Sequence, residues 1–160
     1  MTTAQRAADA PMQTYLLDIN VLIALFDQAH VHHALAHGWL ERVLSSGARW
    51  ATCPITENAF VRVLSHPRYS TATTTPADLV RRLRSFCSLP SHSFWADSVS
   101  LVDGRVFDED LLGGHAHLTD TYLAALAAHH DAKLATFDQR ISVLAIRKRN
   151  DCVEVITLNQ

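Results

Sequence analysis

The chain has 160 residues, 48% of them hydrophobic, and a formal net charge of −2. That is apolar material for one domain with a full-sized core, and it excludes a protein that grips nucleic acid through global basic charge. Three isolated cysteines (Cys53, Cys87, Cys152), no bilayer-length apolar run and no signal-peptide pattern at the start argue against a disulfide framework, a zinc knuckle or a membrane protein, and for a reducing cytoplasm.

Residues 1–12 show no periodicity and read as a mobile extension, leaving 13–160 as the domain. Tyr15-Leu16-Leu17 is a short apolar run that ends abruptly in Asp18, and a second apolar run, Ile19-Asn20-Val21-Leu22-Ile23-Ala24-Leu25, starts at once. This is a buried strand, an acid at its carboxyl end, and a helix. Open α/β sheets bind ligands beyond the carboxyl ends of their strands, so Asp18 stands where chemistry would occur. Residues 30–44 carry Val31, Leu35, Trp39 and Val43 at every fourth position, which predicts a helix. His33 and His37 fall at i, i+4 within it, a spacing that can hold a metal. Without further ligands or an H-E-x-x-H motif they read as a polar face.

Arg49-Trp50-Ala51-Thr52 predicts a second strand, and Pro54 at the first helical position starts another helix. Phe60, Val63 and Leu64 form its buried stripe, and Glu57 falls in its first turn, where a carboxylate complements the helix dipole or faces the same edge as Asp18. A Ser/Thr-rich loop over 67–75 leads to Thr75-Pro76-Ala77-Asp78, a helix start. Leu79, Val80, Leu83 and Phe86 make that helix's apolar face; Arg81, Arg82 and Arg84 read chiefly as its solvated side. Residues 94–101 fit either a strand or an extended connection. Asp103, Asp108, Glu109 and Asp110, set among glycines, read as solvated loop.

An Ala-rich helix opens at His117-Leu118-Thr119-Asp120 and runs to about His130. Lys133-Leu134-Ala135-Thr136-Phe137 then forms a strand that ends at Asp138. About eleven helical residues carry the chain roughly 16 Å one way at 1.5 Å each, and five strand residues return it about 16 Å at 3.3 Å each. Asp120 and Asp138 therefore finish on one edge, with the polarity inferred for Asp18 and Glu57. Four carboxylates gathered in one place repel unless a cation neutralises them. Hard oxygen ligands with no accompanying Cys or His select Mg²⁺ or Mn²⁺, and such a site serves phosphodiester hydrolysis.

The segments Leu17-Asp18-Ile19-Asn20-Val21-Leu22, Cys53-Pro54-Ile55-Thr56-Glu57-Asn58, Leu118-Thr119-Asp120-Thr121-Tyr122-Leu123-Ala124-Ala125-Leu126-Ala127 and Leu134-Ala135-Thr136-Phe137-Asp138 together resemble the PIN-domain ribonucleases. The likeness is closest to VapC-type toxins in the mycobacterial style and spans residues 12–156. It implies an α/β/α sandwich around a parallel sheet of about four to five strands. It also implies an Mg²⁺- or Mn²⁺-dependent endoribonuclease that acts on a structured RNA loop, forms a homodimer, and is neutralised by a cognate VapB-type antitoxin. By motif, Asp18, Glu57, Asp120 and Asp138 are the catalytic and metal-binding set, with Asp18 and Asp120 as the direct ligands. Asn20 and Thr136 support them, and Arg62 and Arg140 are substrate or antitoxin contacts, with Arg147, Lys148 and Arg149 as further phosphate holders. In-line attack by an activated water would leave a 5′-phosphate and a 3′-hydroxyl. Gln139-Arg140-Ile141 departs from the Gly that many relatives carry after the final Asp, so Asp138 is expected to act through water. His115 and His117 lie outside the shared motif and read as surface. The rival readings are a non-catalytic RNA- or protein-binding module and another metal phosphohydrolase.

Overall fold

Alternation along the central strands decides which side of the sheet each helix covers. Tyr15, Leu17, Trp50 and Ala135 pack into one apolar cluster, while Leu16, Ala51 and Leu134 pack into the other, as the two-residue period of a strand demands. The computed structural model describes residues 12–69 and 74–158, so the N-terminal extension expected over 1–12 lies, apart from Met12, outside the described residues. In chain order the elements are β1 (Thr14–Leu17), α1 (Ile19–Phe26), α2 (His33–Ser45), β2 (Arg49–Thr52), α3 (Pro54–Leu64), α4 (Pro76–Cys87), β3 (His92–Phe94), α5 (Leu118–His129), β4 (Lys133–Thr136) and β5 (Val153–Val155). All strand pairings are parallel, in the order β3-β2-β1-β4-β5.

The result is an α/β/α sandwich. Helices α1 to α4 lie with the first cluster. On the other side α5 presses Leu123 to Ala128, all buried, against β1 and β4; its alanines let helix and sheet approach closely. Helix α1 buries Val21, Leu22, Ile23, Ala24 and Leu25 in succession, which marks a helix enclosed on every side rather than a surface amphipath. Among the described residues no helix is long and apolar enough to cross a membrane.

Two boundaries differ from the sequence reading. Helix α2 begins at His33, and Val31 is 89% exposed. The preceding residues close turns instead, His30 N–H donating to Asp27 O and His33 N–H to His30 O, so the four-residue spacing from Val31 was coincidental. Strand β3 covers only His92–Phe94, two residues earlier than the expected stretch, because it aligns His92 with Trp50 and Phe94 with Thr52.

The strand order has a functional consequence. From β1 the chain steps outward to β2 and β3, then crosses back to β4 on the opposite flank of β1. The switch point therefore lies between the carboxyl ends of β1 and β4, where the crossovers part and leave a crevice.

Candidate active site

Asp18 caps α1 immediately after β1, and Asp138 follows β4 after one intervening residue, Phe137, so the two acids straddle the switch point. Asp18 is 3% exposed. Its Oδ1 accepts the Ile19 N–H at 2.7 Å, and its Oδ2 accepts the Thr136 hydroxyl at 2.8 Å. Thr136 is itself fully buried, and its oxygen also accepts the Asp138 N–H at 3.0 Å. One hydroxyl thus ties together the acids that end two neighbouring strands.

Asp120 stands in the first turn of α5, which brings a third carboxylate to this crevice. Its pKa is raised, first by burial and then by the negative charge of Asp138. Burial raises Asp18 to about 6, with Asp120 and Asp138 adding to the rise and the Thr136 and Ile19 hydrogen bonds opposing it. Asp138 goes the other way. The Arg140 N–H holds its carboxylate below the usual range, helped by the Arg140 guanidinium; the bonds are 2.8 Å from the backbone nitrogen and 3.3 Å from Nε.

His117, Asp120 and Asp138 each offer a ligand atom within 4.8 Å of the others. His117, expected at the surface, is half-buried beside the two aspartates and adds a nitrogen to the expected oxygen donors. The 3₁₀ turn His115–His117 runs directly into α5, and three residues of helical advance put His117 over Asp120 on one face. His115 stays exposed. The donor set fits a divalent cation: two carboxylates that repel each other, one imidazole, and a third buried carboxylate alongside. A nitrogen among the oxygens tilts such a set toward Mn²⁺ relative to Mg²⁺.

The remaining expected residues are placed differently. Glu57 lies at the start of α3, beyond β2, on the same sheet edge. Its Oε1, however, accepts the Thr52 hydroxyl at 2.7 Å, and its carboxylate groups with Cys87 and His92 rather than with the three aspartates. Asn20 is exposed in the first turn of α1 and makes none of the hydrogen bonds that hold Asp18. Arg62 is exposed further along α3, beside a shallow pocket shared with His66, Arg68 and Tyr69. Arg140 reaches the site through Asp138.

The basic run near the C-terminus is already committed elsewhere. Arg147 binds Gly104 O and Asp108, Lys148 pairs with Asp131, and Arg149 binds Leu144 O. Asp131 precedes β4, at the opposite end of the sheet from Asp138. Arg147, Lys148 and Arg149 therefore tie loops together, and Lys148 is at the wrong end of the sheet to hold phosphates at the acidic crevice.

A parallel sheet of this order, with aspartates ending β1 and following β4 and another opening the intervening helix, defines a PIN domain. The PIN-domain family model matches residues 15–147, and the chain belongs to that family. Within it the similarity is to VapC-type ribonucleases of Mycobacterium tuberculosis. Ribonuclease VapC39 is 44% identical over 129 residues, covering 81% of this chain and 91% of the relative. Ribonuclease VapC44 is 42% identical over 131 residues, covering 82% and 90%. Ribonuclease VapC38 is 38% identical over 143 residues, covering 89% and 98%.

Proposed function

We propose that this chain is a metal-dependent endoribonuclease toxin that hydrolyses RNA phosphodiester bonds and is neutralised by a cognate VapB-type antitoxin. The observation that carries the reading is the approach of His117, Asp120 and Asp138 to within 4.8 Å beside buried Asp18, on a chain whose relatives are named ribonucleases.

In this reading Asp120, Asp138 and His117 hold Mg²⁺ or Mn²⁺, and Asp18 completes the negative wall. Bound there, the ion would polarise a phosphoryl oxygen and lower the pKa of a water. Thr136 and the Ile19 N–H keep Asp18 in one orientation, so the carboxylate is set before substrate arrives. Glu57, one strand further along the edge, would orient the attacking water on turning from Cys87 and His92 toward the aspartates. Arg140, whose side chain is 82% exposed, extends from the lip, where a guanidinium suits a bidentate phosphate contact. The products are a 5′-phosphate and a 3′-hydroxyl.

An aromatic margin beside the crevice supports a looped RNA as the substrate. Phe137, between Thr136 and Asp138, lies 4.5 Å from the His32 ring and 6.4 Å from the His30 ring, centre to centre. Splayed bases stack on such rings, and sequence-specific RNA recognition targets single-stranded loops. The partners this reading implies are a looped RNA, a second copy of the chain, and an antitoxin segment that covers the acids.

The test is cleavage of an RNA panel, single-stranded DNA and a chromogenic phosphate ester, in Mn²⁺ and in EDTA. Wild type cuts RNA only with the metal, while Asp18→Asn and Asp120→Asn stay folded and do not cut. Undiminished cleavage by either variant with added Mn²⁺ would refute the assignment.

A further inference from the structure

A second grouping of metal-competent side chains shares only Glu57 with the mechanism above. Cys87 is the last residue of α4, His92 opens β3, and Glu57 lies in the first turn of α3. Their ligand atoms all fall within 4.8 Å of one another. In a tetrahedral zinc site, Zn–S of about 2.3 Å and Zn–N or Zn–O of about 2.0–2.2 Å put neighbouring ligand atoms roughly 3.3–3.8 Å apart. Side-chain adjustments of about an ångström would close the group around an ion.

The surroundings are those of a supported site. The Cys87-to-His92 connection is pinned, since His92 N–H donates to Leu89 O at 3.0 Å and Trp50 N–H to Ser91 O at 3.0 Å. Buried Thr52 bonds both other ligands, Glu57 Oε1 at 2.7 Å and His92 Nε2 at 2.8 Å. An ion would bind His92 through the ring nitrogen that Thr52 does not hold, in place of the ring's hydrogen bond to the Cys87 backbone. The His92 ring also rests on Trp50, 4.5 Å between centres. Such outer contacts orient ligands and support affinity. A groove of about 520 Å³ between α3 and α4, walled by Glu57, Cys87 and Arg84, gives entry. Burial and the neighbouring Glu57 push the Cys87 thiol up to about 11, so an incoming ion must displace its proton.

We propose that Glu57, Cys87 and His92 form a second cation site, suited to Zn²⁺ or a similarly thiophilic divalent ion, whose occupation withdraws Glu57 from the acidic edge and slows cleavage. Sulfur and imidazole donors select such ions, where the acidic crevice selects Mg²⁺ or Mn²⁺. Binding forms a metal–thiolate bond and releases the Cys87 proton to solvent. The inhibitory half rests on the nuclease reading; the site itself does not.

The full-length metal-free chain is titrated with Co²⁺, then Zn²⁺. The expected result is a thiolate-to-Co²⁺ charge-transfer band that saturates at one equivalent, is bleached by Zn²⁺, and is absent in Cys87→Ser. In His92→Ala and Glu57→Gln the affinity falls about tenfold or more. In RNA cleavage with Mn²⁺, Zn²⁺ inhibits Cys87→Ser only at concentrations about tenfold higher than wild type. No band, or a band that survives Cys87→Ser, overturns the site. A band unmoved by Glu57→Gln, or cleavage indifferent to the bound ion, overturns the link to Glu57. A chain that cuts no RNA refutes the nuclease reading and with it the inhibition, while the band still decides the site.

Discussion

Thr136 donates to Asp18 Oδ2 at 2.8 Å across 118 positions of sequence, and its oxygen simultaneously takes the Asp138 N–H at 3.0 Å. The hydroxyl is buried and water cannot replace it. Thr136→Val keeps the shape but strands a carboxylate oxygen and an N–H. Stability should fall by about 1–3 kcal/mol in urea unfolding near neutral pH, and metal-dependent cleavage by about tenfold or more. Thr136→Ser should retain both. Equal behaviour of the valine and serine variants would show that the hydroxyl is dispensable.

The elevated pKa of Asp18 makes a prediction with a definite sign. Folded, the acid holds its proton up to about 6, against 3.8 for an ordinary Asp. The stability due to the neutral acid is therefore complete below about 3.8 and is lost as pH rises through 6. Asp18→Asn stays neutral throughout and still bonds both partners, accepting from Ile19 N–H and donating to Thr136. In EDTA it should be more stable than wild type above pH 6, by on the order of 2–3 kcal/mol, with the gain vanishing as pH approaches 4. It should also be inactive. A stability difference that does not vary with pH would contradict the buried, ionised acid.

What could be read in advance depended on how local the determinants were. Asp18, Asp120 and Asp138 each end or open an element whose polarity follows from short apolar runs, so their common edge could be inferred by counting rises. The aim of the Glu57 side chain could not, because it is set by Thr52 on β2 and by Cys87 and His92 at the α4–β3 connection, where the strand begins two residues earlier than its apolar stretch suggests. His117 does leave a signal in the sequence, its position three residues before Asp120, because helical neighbours three apart share a face. Arg147, Lys148 and Arg149 looked like phosphate ligands because nothing in sequence reveals their partners Asp108, Gly104, Asp131 and Leu144.

Two histidines separated by one residue should behave differently. His117→Ala removes the nitrogen near Asp120 and Asp138, so Mn²⁺ affinity should fall about tenfold or more, and the advantage of Mn²⁺ over Mg²⁺ in cleavage should shrink. His115→Ala, changed at an exposed ring, should match wild type. Metal titration by calorimetry, with cleavage rates in both ions, distinguishes them. Equal effects of the two substitutions would remove His117 from the ligand set.

Arg140 occupies Asp138 in the metal-free arrangement through its N–H at 2.8 Å and Nε at 3.3 Å, so a cation must compete with the guanidinium for that carboxylate. The pair is exposed on the arginine side and is worth at most about 1 kcal/mol, which caps the competition near fivefold. Arg140→Ala should therefore lower the metal concentration for half-maximal cleavage by about two- to fivefold. The same change deletes a phosphate contact at the lip, so KM for RNA should rise and the log–log salt dependence of binding should flatten by about 0.7, the share of one single-strand phosphate. The two effects oppose each other in rate at low metal and separate at saturating metal, where only the rise in KM persists. Unchanged KM and salt slope would reduce Arg140 to a cap on the Asp138 turn, a role its backbone N–H fills whatever the side chain.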